Sequence, residues 1–477
     1  SDPNIGGNTI SWGQIVEQGD TANIVLEATN DITVADVTGA AGGNITENNL
    51  VKLPLNSEGS LTLRSESGDI TFQDTNDTIQ TQGGDITFDA HGNGGEITAG
   101  NLVTNGGDIH LVSGNFRANL KSSIETGNVD SSSLNGNGGN IELYVDSGQD
   151  VSSIETGNVD SSSLNGNGGK IEYGSSGQDV SLTVNGNVDS SSLNGNGGNI
   201  ELYVDSDQDV SLAVNGNIHS SSKTGNGGYI EFTAYSNESD SNITLNGNIN
   251  SSSQSGTSGD ILFSSIYDSI SENGVTVNLI NHGIFNAGTG LIRFGAVLDD
   301  KVRVAAGNNN LTLIANEITF NGGENSVTGT GNLILQPGTA SQNIEIASFS
   351  KIGSPNALDI TTDDLAALQN GFNSITIGRE DGSGTILINN VTFQDPVTIQ
   401  APQGNGEIRA EAQLQTFGYV IRSITGDDNA SITLIAGSSI LTGNITTPGN
   451  PVTLQANEAS VLGTLNSGSG DVVISTN

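Results

Sequence analysis

A turn-bounded unit repeats five times in the middle of the chain. Its shared asparagines are spaced 30, 29, 30 and 31 residues apart, at Asn128, Asn158, Asn187, Asn217 and Asn248. Each copy holds short runs of alternating apolar residues separated by Gly, Asn and Ser, which is the pattern of strands joined by tight corners. Because such a unit cannot bury its apolar side alone, successive copies must stack. The repeat therefore predicts a β-solenoid in which one copy forms one coil.

A β-propeller is the main alternative with a comparable period. A propeller blade needs four antiparallel strands in about 40 to 50 residues. The runs in this chain are short, and the segments between them are long enough only for a corner. The solenoid is therefore favoured.

The alternation predicts which side chains point into the solenoid. On one strand of the repeat, Ile141, Leu143 and Val145 should lie inside, with Glu142 and Tyr144 outside. A second strand has the same pattern, with Val180, Leu182 and Val184 inside and Ser181 and Thr183 outside. The third strand begins at Val188 and has few other apolar residues, so serines must fill the rest of that side. One copy is a residue short, and we expect the deletion in a turn near Gly174.

The strand pattern extends over the whole chain and predicts an all-β elongated rod. We expect irregular coils over residues 1–120, regular coils over 121–263 and degenerate coils over 264–477. One short helical turn is predicted near residues 362–370, where acidic residues begin the segment and a glycine ends it. The last run, residues 472–475, is an apolar strand without a polar cap, so the solenoid is expected to continue beyond this sequence or to pair end to end.

Composition narrows the list of partners. The chain of 477 residues carries 53 acidic and 13 basic residues and a net charge of -40, which disfavours nucleic acid and anionic membranes. Cysteine and methionine are both missing, so thiol chemistry and sulfur ligands are excluded. No run has the length of a transmembrane segment. Because the sequence starts at Ser1 without a signal peptide, we expect an excised or mature piece whose targeting signals lie elsewhere.

Glycine and asparagine mark the corners. Glycines that begin Gly-Asp-Ile or related motifs are expected to adopt positive φ: Gly68, Gly83, Gly94 and Gly106. The asparagines of the Asn-Gly-Asn-Gly-Gly corner tolerate left-handed backbone conformations and can stack as amide ladders, with ordinary turn chemistry as the alternative: Asn135, Asn137, Asn165, Asn167, Asn194 and Asn196.

Several segments resemble a known family. Residues 83–88, Gly-Gly-Asp-Ile-Thr-Phe, and 95–102, Gly-Glu-Ile-Thr-Ala-Gly-Asn-Leu, resemble the repeats of filamentous-haemagglutinin-like exoproteins of the two-partner-secretion type. Residues 362–378, followed by 379–384 and 393–398, are similar to a segment of cyanobacterial surface proteins. The resemblance implies a right-handed parallel β-helix, export through an outer-membrane secretion pore, and a structural or adhesive role outside the cell. The secretion domain of the family is not evident in this sequence.

Two columns of acidic residues are candidate cation sites. If one copy forms one coil, equivalent residues lie about 4.8 Å apart. Like charges at that spacing repel by about 0.9 kcal/mol in water and about 3.5 kcal/mol at an effective dielectric constant of 20. The columns should therefore remain hydrated or gather cations, with calcium the specific possibility and diffuse counterions the alternative. Their members are Glu142, Glu172, Glu201 and Glu231 in one column, and Asp150, Asp179 and Asp209 in the other.

The rival hypothesis is a polysaccharide lyase or hydrolase, since parallel β-helices also carry such enzymes. The adjacent acids Asp299–Asp300, Asp363–Asp364 and Asp427–Asp428 do not favour it, because neighbours on a strand point to opposite faces. The four histidines, His91, His110, His219 and His282, lie far apart in the sequence. We therefore expect no enzymatic activity and predict a secreted or surface-attached solenoid. We expect the protein to associate with further copies of itself into filaments. We also expect it to contact glycans of the cell surface or the extracellular matrix.

Overall fold

The computed structural model describes residues 9–37, 46–47, 49–92, 95–114, 120–148, 150–265, 274–295, 301–348, 357–414 and 418–477. The chain divides into two compact units. Unit 1 comprises Ser1–Gly247, Ser253–Thr257 and Ile266–Val275, and unit 2 comprises Asn248–Ser252, Ser258–Ser265 and Thr276–Asn477. The predicted boundaries near residues 120 and 263 stay predictions.

In unit 1 the chain winds through three parallel sheets in turn, so that each coil adds one strand to each sheet. The first sheet contains Asn23–Ala28, Ser60–Ser65, Asp85–Ala90, Ile109–Gly114, Ile141–Asp146, Ile171–Gly177, Ile200–Ser206 and Ile230–Ser236. The second contains Ile32–Val34, Ile70–Phe72, Glu96–Thr98, Ser122–Glu125, Val151–Thr156, Asp179–Val184, Val210–Val214 and Ser241–Leu245. The third contains Leu50–Lys52, Thr78–Gln80, Asn101–Val103, Val129–Asp130, Val159–Asp160, Val188–Asp189 and Ile218–His219, with Thr46–Glu47 antiparallel to its first strand.

Unit 2 is built in the same way. Its longest sheet contains Ile249–Asn250, Gly283–Asn286, Leu311–Ile314, Asn332–Gln336, Ser374–Gly378, Val397–Ala401, Ile432–Ala436, Val452–Gln455 and Val472–Ser475, all parallel. A second sheet contains Ala357–Thr361, Asn343–Ser348, Thr385–Ile388, Glu407–Leu414, Ser439–Thr442 and Glu458–Val461, with Gly418–Ile421 antiparallel to Glu407–Leu414. The other strands form smaller parallel groups: Ile261–Ser264, Leu291–Phe294 and Glu317–Phe320; Val302–Ala305 and Val327–Thr328; Val391–Phe393, Ser423–Gly426, Asn444–Thr446 and Leu465–Asn466. The strand Val275–Leu279 begins with the last residue of unit 1, and the rest of the strand belongs to unit 2.

The prediction of a parallel β-helix is confirmed. Successive coils lie in register, as in the pairs Ile141 with Ile171 and Ile200 with Ile230. Parallel in-register strands place like side chains above one another, and the inner ones fill a narrow core of Ile, Leu and Val. The predicted inward residues of the first and second sheets are all at most 3% exposed: Ile141, Leu143, Val145, Val180, Leu182 and Val184.

Serine completes the third side of unit 1, as the repeat predicts. The first serine of each triplet is fully buried, at Ser131, Ser161, Ser190 and Ser220. Each hydroxyl donates to a glycine carbonyl of the same or the preceding coil, for example Ser131 Oγ to Gly139 O at 2.6 Å. A buried hydroxyl with a partner avoids the cost of an unsatisfied polar group. The third side of the coil is therefore a polar but satisfied part of the core.

Aromatic stacking supplies part of the core of unit 2. Phe263 and Phe294 stack with ring centroids 4.9 Å apart, and Phe294 and Phe320 stack at 5.4 Å. These residues lie on successive strands, so the stack follows the coil direction. Ring stacking adds to the burial of apolar area.

The predicted helix is present at Thr362–Ala367, and Thr361 caps it. Thr361 accepts from the Asp364 N–H while Asp364 accepts from the Thr361 N–H, which is a capping box. A second helix, Trp12–Val16, was not predicted, because a single turn is too short to show a helical period. Neither helix in the described part of the chain has the length or apolar character of a membrane span.

The corner predictions are confirmed only in part. Gly83 and Gly106 have φ of 108° and 105°, but Gly68 does not adopt positive φ. Gly68 is needed for another reason, because a Cβ there would lie 2.6 Å from the backbone nitrogen of Asp31. Gly94 lies outside the described residues.

The asparagine ladders are present, and the corner asparagines form them without adopting the left-handed conformation that asparagine tolerates. The Asn137 side-chain oxygen accepts from the Asn167 N–H at 2.9 Å, and Asn167 accepts in turn from Asn196 at 2.8 Å. Each amide side chain therefore ties its corner to the backbone of the next coil.

Candidate functional site: an acidic and tyrosine-bearing sheet face

The predicted glutamate column lies on the outer face of the first sheet. Strand register places Glu142 beside Glu172, Glu172 beside Glu201, and Glu201 beside Glu231. All four side chains are partly exposed. The repeat places them there because each of the first four copies begins this strand with an inward Ile followed by an outward Glu, and the strand period is two.

The protein itself supplies positive charge to this column. Lys170 Nζ lies 2.5 Å from Glu172 Oε2 and 3.0 Å from Glu201 Oε2, and so it bridges two coils. At the other end, His110 lies in register with Glu142, and its Nδ1 is 3.2 Å from Glu142 Oε2. The repulsion expected for a bare column is therefore reduced by Lys170 at Glu172 and Glu201.

These contacts shift the pKa values of Lys170 and Glu172. Burial lowers the pKa of Lys170, but the hydrogen bonds to Glu172 and Glu201 outweigh burial and raise its pKa above the ordinary value. For Glu172, burial raises the pKa, yet the hydrogen bonds from Lys170 and Tyr144 prevail and lower it. At neutral pH the lysine is therefore charged and Glu172 is ionised.

Tyrosines accompany the glutamates. Tyr229 donates its hydroxyl to Glu201, and Tyr203 donates to Asp205 Oδ2 at 3.1 Å. Burial, followed by hydrogen bonding to Glu172, raises the pKa of the Tyr144 hydroxyl, and burial also raises the pKa of Tyr203 and Tyr229. These phenols therefore remain neutral donors. The outer face carries aromatic rings, hydroxyl donors and carboxylate acceptors side by side.

Gly174 makes room for one of these rings. It stands in register between Tyr144 and Tyr203, where the neighbouring copies have tyrosine. A Cβ on Gly174 would lie 2.7 Å from Cδ1 of Tyr144, so the Tyr144 ring lies over the glycine backbone. Gly174 is itself a paired strand residue, so the shortened turn predicted near it lies outside this strand.

The register offset instead changes in the turn that follows Ser176. Asp146 is paired with Ser176, but Val151 is paired with Asp179, so the turn in the second copy is two residues shorter. This slip removes Asp150 from the predicted aspartate column.

The aspartate column that the structure contains is different from the predicted one. The Asp209 N–H donates to Asp179 Oδ1 at 3.4 Å, and the register of the next strand places Asp240 beside Asp209. Asp179, Asp209 and Asp240 line a shallow groove of about 400 Å³ on the second sheet together with Val151. Cation binding by either acidic column stays a prediction.

The candidate catalytic residues take up separate positions. Asp364 is 3% exposed, and its side chain takes part in the capping box of the helix Thr362–Ala367. Asp427 lies in an exposed turn beside Asp428, which accepts from Asn370. His219 takes the place of Asp189 in the third sheet, as the repeat predicts. Asp299 and Asp300 lie outside the described residues.

Unit 2 holds an acidic cluster in which Glu317 and Asp359 were not indicated by any sequence pattern. Burial, and then the nearby carboxylates of Asp359 and Asp364, raise the pKa of Glu317 to about 8. Asp359 and Asp364 are at most 3% exposed. Their positions depend on how Ala357–Thr361 and the helix pack beside Glu317–Phe320, which no repeat in the sequence encodes.

Comparison with known proteins does not add a relative. No family model matches the chain, and neither the curated proteins nor the solved structures contain a match.

Proposed function

We propose that the protein is a structural or adhesive β-solenoid that is secreted to the bacterial cell surface, in the manner of the filamentous-haemagglutinin-like exoproteins that its repeats resemble. One observation carries the proposal: an outward glutamate recurs on four successive coils of the first sheet, and an outward tyrosine follows it on two of them, at Tyr144 and Tyr203. A recurring pattern offers many equal weak contacts, and linked weak contacts multiply through avidity. Such a surface suits adhesion.

The chemistry of the face favours neutral glycans as the ligand. Tyr144 and Tyr203 offer rings against which a sugar ring can pack, and Glu142 and Glu231 offer acceptors for sugar hydroxyls. The net charge of -40 repels acidic polysaccharides. A neutral polymer with repeated sugars would contact several coils at once.

Self-association into filaments is part of the proposal. Val472, Val473 and Ile474 of the strand Val472–Ser475 are 45%, 47% and 59% exposed. Apolar side chains of this kind pack against a neighbouring strand, which a further coil of the same chain or a second copy can supply. Export through an outer-membrane secretion pore rests on the family resemblance.

Binding of the purified chain to immobilised cell-wall and matrix glycans tests the adhesive role. We expect the double variant Tyr144→Ala and Tyr203→Ala to bind a neutral glycan about tenfold more weakly, because two stacking contacts are lost. The matched control is Ser181→Ala with Thr183→Ala, which changes outward residues of the second sheet and should leave binding unchanged. Equal binding by both double variants would contradict the proposal, as would failure of the parent chain to bind any glycan or cell surface.

A polysaccharide hydrolase is the second candidate, and the Glu317 cluster favours it. A carboxyl group that is protonated at neutral pH beside other carboxylates suits a general acid. The burial of Asp359 and Asp364 is unfavourable to substrate access. Release of reducing ends from a polysaccharide, lost in Glu317→Gln and kept in Glu324→Gln at a nearby exposed position, would establish the enzyme. If neither the parent chain nor any variant releases reducing ends, the result supports the adhesive role.

A further inference from the structure

Two aspartates meet at one corner of unit 1, just after the first strands of the second sheet. Ile32 is paired with Ile70 and Val34 with Phe72. The same offset places Asp36 beside Asp74 on the next coil. In-register parallel strands hold such residues about 4.8 Å apart, so the two carboxylates face a common region.

A tight turn brings a third aspartate to the same place. The Asp77 N–H donates to the Asp74 carbonyl at 3.2 Å and closes the turn over residues 74–77. Asp74 is held in its orientation by donors from Asn76 at 2.9 and 2.8 Å and from Asn49 at 3.1 Å. The turn is therefore fixed before any ligand binds.

Asp77 is buried and incompletely partnered. It is only 1% exposed. Its Oδ2 accepts from the Val37 N–H at 3.1 Å, whereas no donor among the described residues reaches its buried Oδ1. Burial, together with repulsion from Asp74 and Asp36, raises the pKa of Asp77. A buried carboxylate oxygen without a partner is costly and calls for a ligand.

The three carboxylates form one cluster. One oxygen from each of Asp36, Asp74 and Asp77 lies within 4.8 Å of the others. Two ligands on one Ca²⁺ at about 2.4 Å are separated by at most about 5 Å, so the spacing fits a single ion. Within the described ranges, no Lys or Arg forms an ion pair with any of the three.

We propose that Asp36, Asp74 and Asp77 form a calcium site that joins two neighbouring coils of unit 1. The unpartnered Oδ1 of Asp77 is the inner ligand, and Asp74 and Asp36 close the site toward solvent, where Asp36 is exposed. Ca²⁺ takes six to eight oxygen ligands in irregular geometry, so water can complete the sphere on the Asp36 side. Mg²⁺ needs a stricter octahedron and loses its water reluctantly, so it fits less well.

The site formed by Asp36, Asp74 and Asp77 differs from the acidic columns in how it selects a cation. The columns are partly exposed and attract cations through summed charge, an effect that salt screens. The Asp77 site has a buried ligand atom and a fixed turn, so it should bind one ion specifically. Binding would fasten two neighbouring coils together at the corner that follows the second sheet, because Asp36 and Asp74 lie on different coils.

Calcium titration of the chelator-stripped full chain by calorimetry tests the proposal, with three variants for comparison. Asp77→Asn keeps the side-chain shape but removes a charged ligand, and Asp36→Asn does the same at an exposed position. Asp20→Asn, also exposed, is the matched control outside the cluster. We expect one calcium site in the parent chain and in Asp20→Asn, with affinity at least about tenfold weaker in both cluster variants.

Thermal unfolding provides the second readout. Calcium should raise the Tm of the parent chain and of Asp20→Asn more than an equal concentration of magnesium does, and this difference should vanish in Asp77→Asn. In chelator, Asp77→Asn should unfold no earlier than the parent, since repulsion in the cluster is relieved. The proposal is overturned if the parent chain binds no calcium at a saturable site, if both cluster variants bind it as the parent does, or if Asp20→Asn loses the site equally. Should Asp77→Asn fail to fold, Asp36→Asn decides the matter alone.

Discussion

Lys170 Nζ lies 3.0 Å from Oε2 of Glu201, a residue on the next coil. The lysine takes a corner position where the neighbouring copies have Asn140 and Asn199. Its side chain is 35% exposed and that of Glu201 is 24% exposed, so the pair is partly shielded from water. A single substitution in one copy of the repeat thus places a positive charge between two members of the glutamate column.

Lys170→Asn should lower the free energy of unfolding by about 0.5 to 1 kcal/mol, the range of partly exposed ion pairs. The variant restores the corner residue of the other copies, so backbone strain is not expected. Urea unfolding at low and high NaCl measures the effect, which should shrink as salt screens the column. The variant should also be stabilised more than the parent by millimolar calcium or magnesium. An unchanged stability at low salt would mean that the pair contributes nothing.

Asn158→Ala should cost about 1 kcal/mol of stability. Asn158 Oδ1 accepts from the Asn187 N–H at 2.9 Å, and its amide donates to Asn128 Oδ1 at 3.1 Å. Asn158→Asp is the matched control, since it keeps the acceptor for the Asn187 N–H and loses only the donor to Asn128, so it should cost less than Asn158→Ala. Aspartate already fills this role at another corner, where Asp85 Oδ1 accepts from the Asp108 N–H at 2.8 Å. Equal losses in chemical denaturation of the two variants would argue against the ladder.

Two glycines of one corner should respond differently to alanine. A Cβ on Gly138 would lie 2.0 Å from the Ser161 carbonyl oxygen of the next coil, whereas a Cβ on Gly136 meets nothing nearer than Ser133 Oγ at 3.5 Å. Because the Ser161 backbone cannot move without disturbing its coil, Gly138→Ala should cost about 1 to 3 kcal/mol. Gly136→Ala should stay within about 0.5 kcal/mol of the parent. The difference in Tm between the variants is the measurement, and similar values would contradict the close stacking of coils.

Glu317 should make unit 2 less stable as pH rises. Its pKa is about 8 in the folded chain against 4.5 ordinarily, because burial disfavours the charged form. The folded state therefore holds more protons than the unfolded state between these values, and stability falls as pH rises from about 4.5 to 8. Glu317→Gln cannot ionise and should lack this contribution, whereas Glu324→Gln should retain it. Parallel pH profiles of unfolding for the parent and Glu317→Gln would exclude the shift.

The regular part of the fold was predictable because each copy keeps nearly the same length. With a constant offset, alternation alone fixes which residues face inward, and the column from Glu142 to Glu231 follows from the repeat. The serine side of the core was also predictable. Val188 is the main apolar residue of its strand, so the serines that follow it had to fill the rest of that side.

The remaining predictions were wrong or incomplete because the coils differ locally in the length of their turns. The aspartate column slipped because a turn shortened by two residues brings Val151, and not Asp150, beside Asp179. A count along the sequence cannot locate such a change when the flanking residues are similar. The cluster around Asp77 lies before the regular repeats, and it forms only because one coil offset brings Asp36 to Asp74.

The central claim is that each copy of the repeat forms one coil stacked on the last, and distances between spin labels on successive coils test it most directly. Because the chain contains no cysteine, only the introduced cysteines are labelled. Ser132 and Ser162, one position before the paired residues Ser133 and Ser163, occupy equivalent outward places, as do Ser191 and Ser221 in the next copies. Cysteine pairs at 132 with 162, 132 with 191, and 132 with 221 should give distances that increase in equal steps of about 4.8 Å. Steps near 10 Å, or distances that do not increase with copy number, would contradict the stacking of one repeat on each coil.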